Sequence, residues 1–268
     1  EYAVKMRQFP QYAQLDRVLF EKKLSYHHMD LLAEKIANFH QQISVANDNQ
    51  SFGDLEHVQT PVLNCFSDIL ERIDDETDTQ RVLALKTWSE IEFQRLNNQF
   101  VARKKQGFIR ECHGDLHLRN IAIVNEEVIA FDGIEFSKDL RWNDVVSEIA
   151  FLVMDLQDHG QTALASRFLN RYLEITGDYS GLCVFQYYLL YRAIVRAMVS
   201  CIRLKQQNLS LEEITLETHN FQKYINLAES YTKQTNPRLF ITFGLSGSGK
   251  STISQILMQE YPAIRIRS

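Results

Sequence analysis

Two carboxylates and a carboxamide, set on either side of a short hairpin, constrain this chain more than any other feature. The first stretch is His113-Gly114-Asp115-Leu116-His117-Leu118-Arg119-Asn120, and the second is Ala130-Phe131-Asp132-Gly133-Ile134-Glu135-Phe136. Between them Ile121-Ala122-Ile123-Val124 and Val128-Ile129-Ala130-Phe131 are apolar runs separated by the polar Asn125-Glu126-Glu127. That pattern predicts a hairpin, and a hairpin returns Asp132 to the neighbourhood of Asn120. Both side chains then offer oxygen to one hard cation such as Mg²⁺. Asp115 is placed to take a proton from a hydroxyl nucleophile, a division of labour that fits metal-assisted phosphoryl transfer.

The chain has 268 residues, 45% of them hydrophobic and 24% charged. That is an ordinary globular composition with room for one large or two modest domains. A formal net charge of −5 argues against a general nucleic-acid role. Arg103-Lys104-Lys105 reads as a solvated helix end. Cys65, Cys112, Cys183 and Cys201 lack close pairing, which suggests reduced thiols in a cytoplasmic protein and not a disulfide framework or zinc site. Cys183 to Ile202 is apolar enough to consider for a membrane span, but Arg192 and Arg196 interrupt it. Each costs roughly 2.5–3.5 kcal/mol at the centre of a membrane helix. A core helix with its arginines at a polar edge is the better reading.

Tyr2-Ala3-Val4-Lys5-Met6-Arg7 alternates as a strand, ended by Phe9-Pro10. From Gln11 to Lys105 the periodicity is helical, with Met29, Leu32, Ala33, Ile36, Ala37 and His40 on one face. Asn47 to Gly53 is a polar break, and Thr77 or Asp78 is placed to cap the helix that carries Val82, Leu85, Trp88, Ile91 and Leu96. Asp144 reads as the N-cap of a further helix. Three more helices are expected near 160–176, 182–206 and 210–234, with Gly177 to Gly181 as a turn.

A boundary is expected at Gln234 to Pro237. Beyond it Arg238 to Phe243 reads as a strand, followed by Gly244-Leu245-Ser246-Gly247-Ser248-Gly249-Lys250-Ser251-Thr252 and a helix. The loop satisfies the phosphate-binding pattern Gly-x-x-x-x-Gly-Lys-Ser/Thr. Its glycines let backbone N–H groups face phosphate oxygens, Lys250 reaches the β/γ-phosphates, and Ser251 ligates Mg²⁺. Ala263 to Arg267 reads as a second strand. About thirty residues are too few for a complete domain of this kind, so the chain is expected to end inside its second domain.

HGDLHLRN followed by AFDGIEF resembles the catalytic loop and metal-binding segment of the aminoglycoside phosphotransferase family, relatives of the protein kinases. Asp139 to Leu156 resembles the same family's larger lobe. Together with the C-terminal loop, the chain resembles a bacterial two-part protein in which such a domain precedes a P-loop kinase or ATPase domain. The resemblance implies an α/β chain of protein-kinase-like fold: an incomplete N-lobe and a mostly helical C-lobe over 1–236, then the truncated start of a P-loop NTPase domain over 237–268. It implies Asp115 as catalytic base, Asn120 and Asp132 as Mg²⁺ ligands, and His113 as the motif histidine that braces the loop. Lys5 matches the strand lysine that pairs with nucleotide phosphates, with Glu21 and Asp16 both open as its acidic partner. No glycine-rich loop precedes Lys5, and Gly133-Ile134 stands where protein kinases have Phe-Gly.

The expected activity is ATP-dependent phosphorylation of a small-molecule hydroxyl, with no nucleic acid or membrane partner. Two other readings stay open. In one, the kinase-like lobe is a scaffold or regulatory module and the P-loop carries the nucleotide chemistry. In the other, His113, Asp115 and His117 hold a metal. Arg141 and Asp144 are candidates for bracing the catalytic loop, and Glu135 is a further acid beside Asp132. His27, His28 and His40 read as surface or packing residues.

Overall fold

A computed structural model describes residues 9–233, 238–261 and 263–266. The expected strand at Tyr2 to Arg7, with Lys5, and the expected boundary at 234–237 lie outside the described residues.

The described chain is dominated by helices: α1 (Leu15–Phe20), α2 (Tyr26–Gln42), α3 (Leu55–Leu70), α4 (Glu76–Lys105), α5 (Lys138–Arg141), α6 (Val145–Asp158), α7 (Thr162–Thr176), α8 (Leu182–Leu204), α9 (Leu211–Tyr231) and α10 (Lys250–Glu260). Four short strands, β1 (Ile109–Glu111), β2 (Ile121–Val124), β3 (Glu127–Ala130) and β4 (Trp142–Asp144), form two antiparallel pairs. The α2 face expected from periodicity is the one that is buried. Asp75, one turn earlier than expected, caps α4 by accepting the Asp78 N–H. Asp144 caps α6 through Val146 N–H at 2.9 Å.

Helix α8 is the axis of the assembly, packed against α3, α4, α6 and α9. By length and composition it is apolar enough to cross a membrane, yet its apolar faces are spent on these neighbours. Arg192 lies inside the packing at 6% exposure and not at a polar edge. The aromatic rings of Phe151 and Tyr191 flank its guanidinium, so its charge is met by ring faces.

The basic cluster at the end of α4 is also not a solvated helix end. Arg103 is 2% exposed and grips two carboxylates, with Nε to Asp144 Oδ2 at 2.6 Å and Nη2 to Asp178 Oδ2 at 2.7 Å. Burial of an arginine requires such pairing, and this one ties α4 to the cap of α6 and to the turn before α8. Lys104 reaches Asp54 and the carbonyl of Gln50, which leaves only Lys105 of the three exposed.

Residues 238–243 and 263–266 form no β-ladder among the described residues, contrary to the strands expected there. A strand needs a paired edge, and Leu239, Phe240, Ile241 and Phe243 are instead exposed. The 263–266 segment finds its hydrogen bonds on α7: Asn170 donates to the Ala263 carbonyl at 2.9 Å and accepts from Arg265 N–H at 2.7 Å.

Candidate functional site

The β2–β3 hairpin forms in the expected place, with Ile121 opposite Ala130 and Val124 opposite Glu127. Its two turn residues, Asn125 and Glu126, have φ of 52° and 65°. Positive φ at both positions is the twist-compatible tight turn of a two-residue hairpin. The register continues one step outward, where Phe131 N–H donates to the Asn120 carbonyl at 3.0 Å. Asp132, the next residue, is therefore delivered to the end of the strand pair that starts at Asn120. It is exposed and has φ 61°, a left-handed conformation that is uncommon outside glycine and tolerated best by Asn and Asp.

Asn120 is buried, and its Nδ2 donates to Asp115 Oδ2 at 2.8 Å and to the Asp115 carbonyl at 3.0 Å. The amide is thereby oriented, and its Oδ1 has no hydrogen bond among the described residues. An amide oxygen at Asn120 and a carboxylate at Asp132 are both hard oxygen donors of the kind Mg²⁺ takes, so the residues present fit that ion. Glu135, the further acid, is exposed.

Asp115 is half-buried. Burial pushes its carboxyl up, but the hydrogen bond from His117, the His117 and Arg192 charges and the Asn120 amide outweigh it, so its pKa falls below the usual aspartate value. An ionised, partly desolvated carboxylate is what a proton acceptor for a hydroxyl requires. His113 donates from Nε2 to the Phe131 carbonyl at 2.8 Å, while its Nδ1 faces Asp115 N–H at 3.3 Å. It ties the loop of residues 113–120 to the segment that follows β3. His117 turns inward, 3.3 Å from Asp115 Oδ2 and edge-on to Phe151. Among the described residues, His113, Asp115 and His117 do not gather as a metal-ligand cluster; the two groups that do are His40, Cys112 and Glu148, and Asp155, Asp158 and His159.

Two acids of α6 went unread in the sequence. Glu148 Oε2 accepts Gly114 N–H at 2.7 Å, and Asp155 Oδ2 accepts Leu118 N–H at 2.9 Å. Seven residues apart, they lie on the same helical face, two turns from each other. Both are buried in an otherwise apolar helix. Such acids at that spacing are the signal that would have found them. Glu148 Oε1 accepts from His40 Nε2 at 2.9 Å, and His40 Nδ1 meets the Tyr172 hydroxyl at 2.8 Å. His40 is thus a fully bonded core residue that supports the loop indirectly. Burial pushes the Glu148 carboxyl up, but the His40 bond and charge and the Gly114 N–H bring it below the ordinary glutamate value. Gly114 has φ 85°, and a Cβ there would meet Ile134 Cδ1 at 3.0 Å.

Arg141 joins the metal-binding segment to β1 by donating to the Ile134 carbonyl and to Glu111. Asp144 serves the cap of α6 and the Arg103 pair. Of the two candidate partners for Lys5, Glu21 holds Lys23 at 2.6 Å and Asp16 lies 3.6 Å from Arg119.

Asp115 opens onto a cavity of about 740 Å³ between α3, the β1–β4 pair and α8. Its walls include Pro61, Leu140, Trp142, Tyr188, Tyr191 and Met198. Trp142 stacks on Phe52 at 5.0 Å and forms part of the cavity wall; Phe151 is buried beneath the same cavity.

In the glycine-rich loop, Gly244, Gly247 and Gly249 all have positive φ. Lys250, Ser251 and Thr252 begin α10. Lys250 Nζ donates to the carbonyls of Gly244 and Leu245, both at 2.6 Å, which holds the ammonium inside the curl of the loop.

No family model matches the chain. Uncharacterized proteins of Mycobacterium bovis and of two strains of Mycobacterium tuberculosis are each 28% identical to it over 245 residues, covering 85% of this chain and 44% of theirs. The chain thus spans less than half the length of these relatives. Among solved structures it is similar to the ethanolamine kinase of Plasmodium vivax, with TM-score 0.47 and 12% identity over 77% of this chain and 61% of that one.

Proposed function

We propose that this chain carries a protein-kinase-like catalytic lobe of the aminoglycoside-phosphotransferase-like type, which transfers phosphate from ATP to a hydroxyl of a small molecule. The observation that carries this reading is the Asp115–Asn120 bond at 2.8 Å, beside the hairpin that returns Asp132 and on the wall of a cavity. The cavity receives the acceptor. Asp115 accepts a hydrogen bond from its hydroxyl, orients the oxygen for attack and takes the proton as the new O–P bond to the γ-phosphoryl group forms and the bond from that phosphorus to the bridging oxygen breaks, releasing ADP. Asn120 Oδ1 and the Asp132 carboxylate would hold Mg²⁺, and Lys5 would pair with the nucleotide phosphates. Mg²⁺ supplies charge neutralisation on the transferring group. Glu148, Asp155 and His113 keep the loop in place, so that positioning and charge supply most of the rate.

The test is the protein incubated with ATP, Mg²⁺ and a panel of hydroxylated metabolites. Asp115→Asn is expected to lower turnover by about 10²–10⁴-fold, the usual worth of a positioned base. Turnover unchanged in Asp115→Asn sinks the role assigned to Asp115.

A second reading is supported by Lys250, whose ammonium donates to the carbonyls of Gly244 and Leu245 within the glycine-rich loop. Here Gly244 to Thr252 belong to a P-loop ATPase or kinase domain that does the nucleotide chemistry, and the helical lobe is a scaffold. Calorimetry of ATP binding separates the two. Loss in Asp132→Ala supports the first; loss only in Lys250→Ala supports the second.

A further inference from the structure

We infer that the acceptor carries an anionic group, a carboxylate or a phosphate, which Arg192 receives at the inner wall of the cavity. The inference rests on the proposed phosphotransferase reading for the word acceptor, but the binding site it describes does not. Arg192 is 94% buried by its 6% exposure and lines the cavity that Asp115 opens onto. Its guanidinium has five N–H donors. Three bonds are made, all to neutral acceptors: Nε to the Ser147 carbonyl at 3.1 Å, Nη2 to Ser147 Oγ at 3.1 Å, and Nη1 to the Gly114 carbonyl at 3.3 Å. Among the described residues no carboxylate forms an ion pair with it.

The contrast with the other fully buried guanidinium is direct. Arg103 has two carboxylates at 2.6 and 2.7 Å, whereas Arg192 has ring faces and neutral oxygens in contact and feels the Asp115 carboxylate only as a charge farther off. A buried charge is normally paired or turned toward a ligand that pairs it, and Arg192 is the one bordering the cavity. The acids that border the same cavity do not supply the pair. Asp144 is held by Arg103, Asp68 by Arg72 at 2.9 Å, Asp139 by His57 at 3.1 Å, and Asp115 by Asn120 and His117. Glu56 is exposed on the α3 side. Asn143 Oδ1, on the wall residue next to Asp144, is buried without a hydrogen-bond partner. Trp142, Tyr188 and Met198 add apolar surface to the walls. The ligand so described has an apolar or ring body, one anionic group and at least one hydroxyl.

The experiment compares three sets of matched probes on the whole protein. They are benzene-1,4-dimethanol against 4-(hydroxymethyl)benzoate, glycerol against glycerate, and glycerol against glycerol 3-phosphate. Calorimetry is run with wild type, Arg192→Gln and Arg192→Lys, with thermal unfolding to confirm that each variant folds. At least one anionic probe is expected to bind wild type about 10–100-fold tighter than its neutral partner, the worth of a charge-assisted bidentate contact. Arg192→Gln loses that preference, and Arg192→Lys keeps part of it. The carboxylate and phosphate arms identify which anion is taken. Equal affinity for neutral and anionic members throughout overturns the inference, and this comparison needs only wild-type protein should the variants not fold. Phosphoryl transfer to neutral probes alone would also overturn it while leaving the phosphotransferase reading intact. Arg192-dependent anion binding without any transfer would do the reverse.

Discussion

The carboxylate of Glu148 accepts the N–H of Gly114 at 2.7 Å, so the residue before the proposed base is held by the first turn of α6. Arg192 donates to the carbonyl of the same Gly114 from the opposite side. The two peptide units that flank the Gly114 Cα are therefore each held by a buried side chain, and Asp115 is aimed by what lies behind it.

Removing the Glu148 side chain leaves both the Gly114 N–H and His40 Nε2 buried without an acceptor. Each orphaned donor costs about 1–3 kcal/mol. Glu148→Ala is expected to lower stability by about 2–5 kcal/mol in urea unfolding. Turnover should fall further than the loss of folded protein explains.

The same carboxyl gives an acid limb to stability. Its folded pKa lies below the ordinary glutamate value of 4.5, so its contribution is complete above that value and is lost as pH falls through the folded one. Glu148→Gln, measured against wild type from neutral pH downward, is expected to show a shallower fall in stability. An unchanged slope would place the acid sensitivity in other groups.

Among the described residues Arg103 is the cation that bridges the buried carboxylates of Asp144 and Asp178. Arg103→Met strands Asp144 and Asp178 at 2% and 3% exposure, and breaking a buried pair in this way costs about 3–5 kcal/mol. Adding Asp144→Asn and Asp178→Asn to the same chain should recover part of that loss. Unfolding midpoints of the single and triple variants decide it.

The hairpin turn contains an avoidable cost. Glu126 has φ 65°, a conformation that costs a residue with a Cβ about 1 kcal/mol. Glu126→Gly creates the Asn-Gly pair favoured in this turn, and a small rise in melting temperature is expected.

Thiol reactivity should follow burial. Burial pushes Cys65 up to about 12 and Cys201 up to about 11, and Cys112 also lies well above the ordinary thiol value. Cys183 is the exposed cysteine. Iodoacetamide at mildly alkaline pH is expected to modify Cys183 first, as read by peptide mass spectrometry; earlier labelling of Cys65 would mean that the cavity wall opens.

What was readable in the sequence was local. The helices of 15–105 and 145–231 follow from apolar residues at spacings of three and four, and the hairpin follows from two apolar runs around a polar turn. The pairing of Asn120 with the residues before Asp132 follows from that hairpin, because two strands joined by so short a turn have one register. The strands expected at 238–243 and 263–267 are a different matter. An apolar alternating run needs an edge to pair with, and here the second segment spends its backbone bonds on Asn170 instead. The side chains that make the site work came from farther away. Glu148 and Asp155 face the catalytic loop only because α6 packs behind it, and Arg103 is buried only because Asp144 and Asp178 converge from distant turns. Arg192 reaches Gly114 across 78 residues of sequence. A charged residue's fate depends on which partners the fold brings within about 3 Å, and spacing along one helix does not carry that information. By itself the sequence determined the hairpin and the set of acids and amide around it; the tertiary structure decided which buried charges meet an ion-pair partner, as Arg103 does, and which border the cavity without one, as Arg192 does.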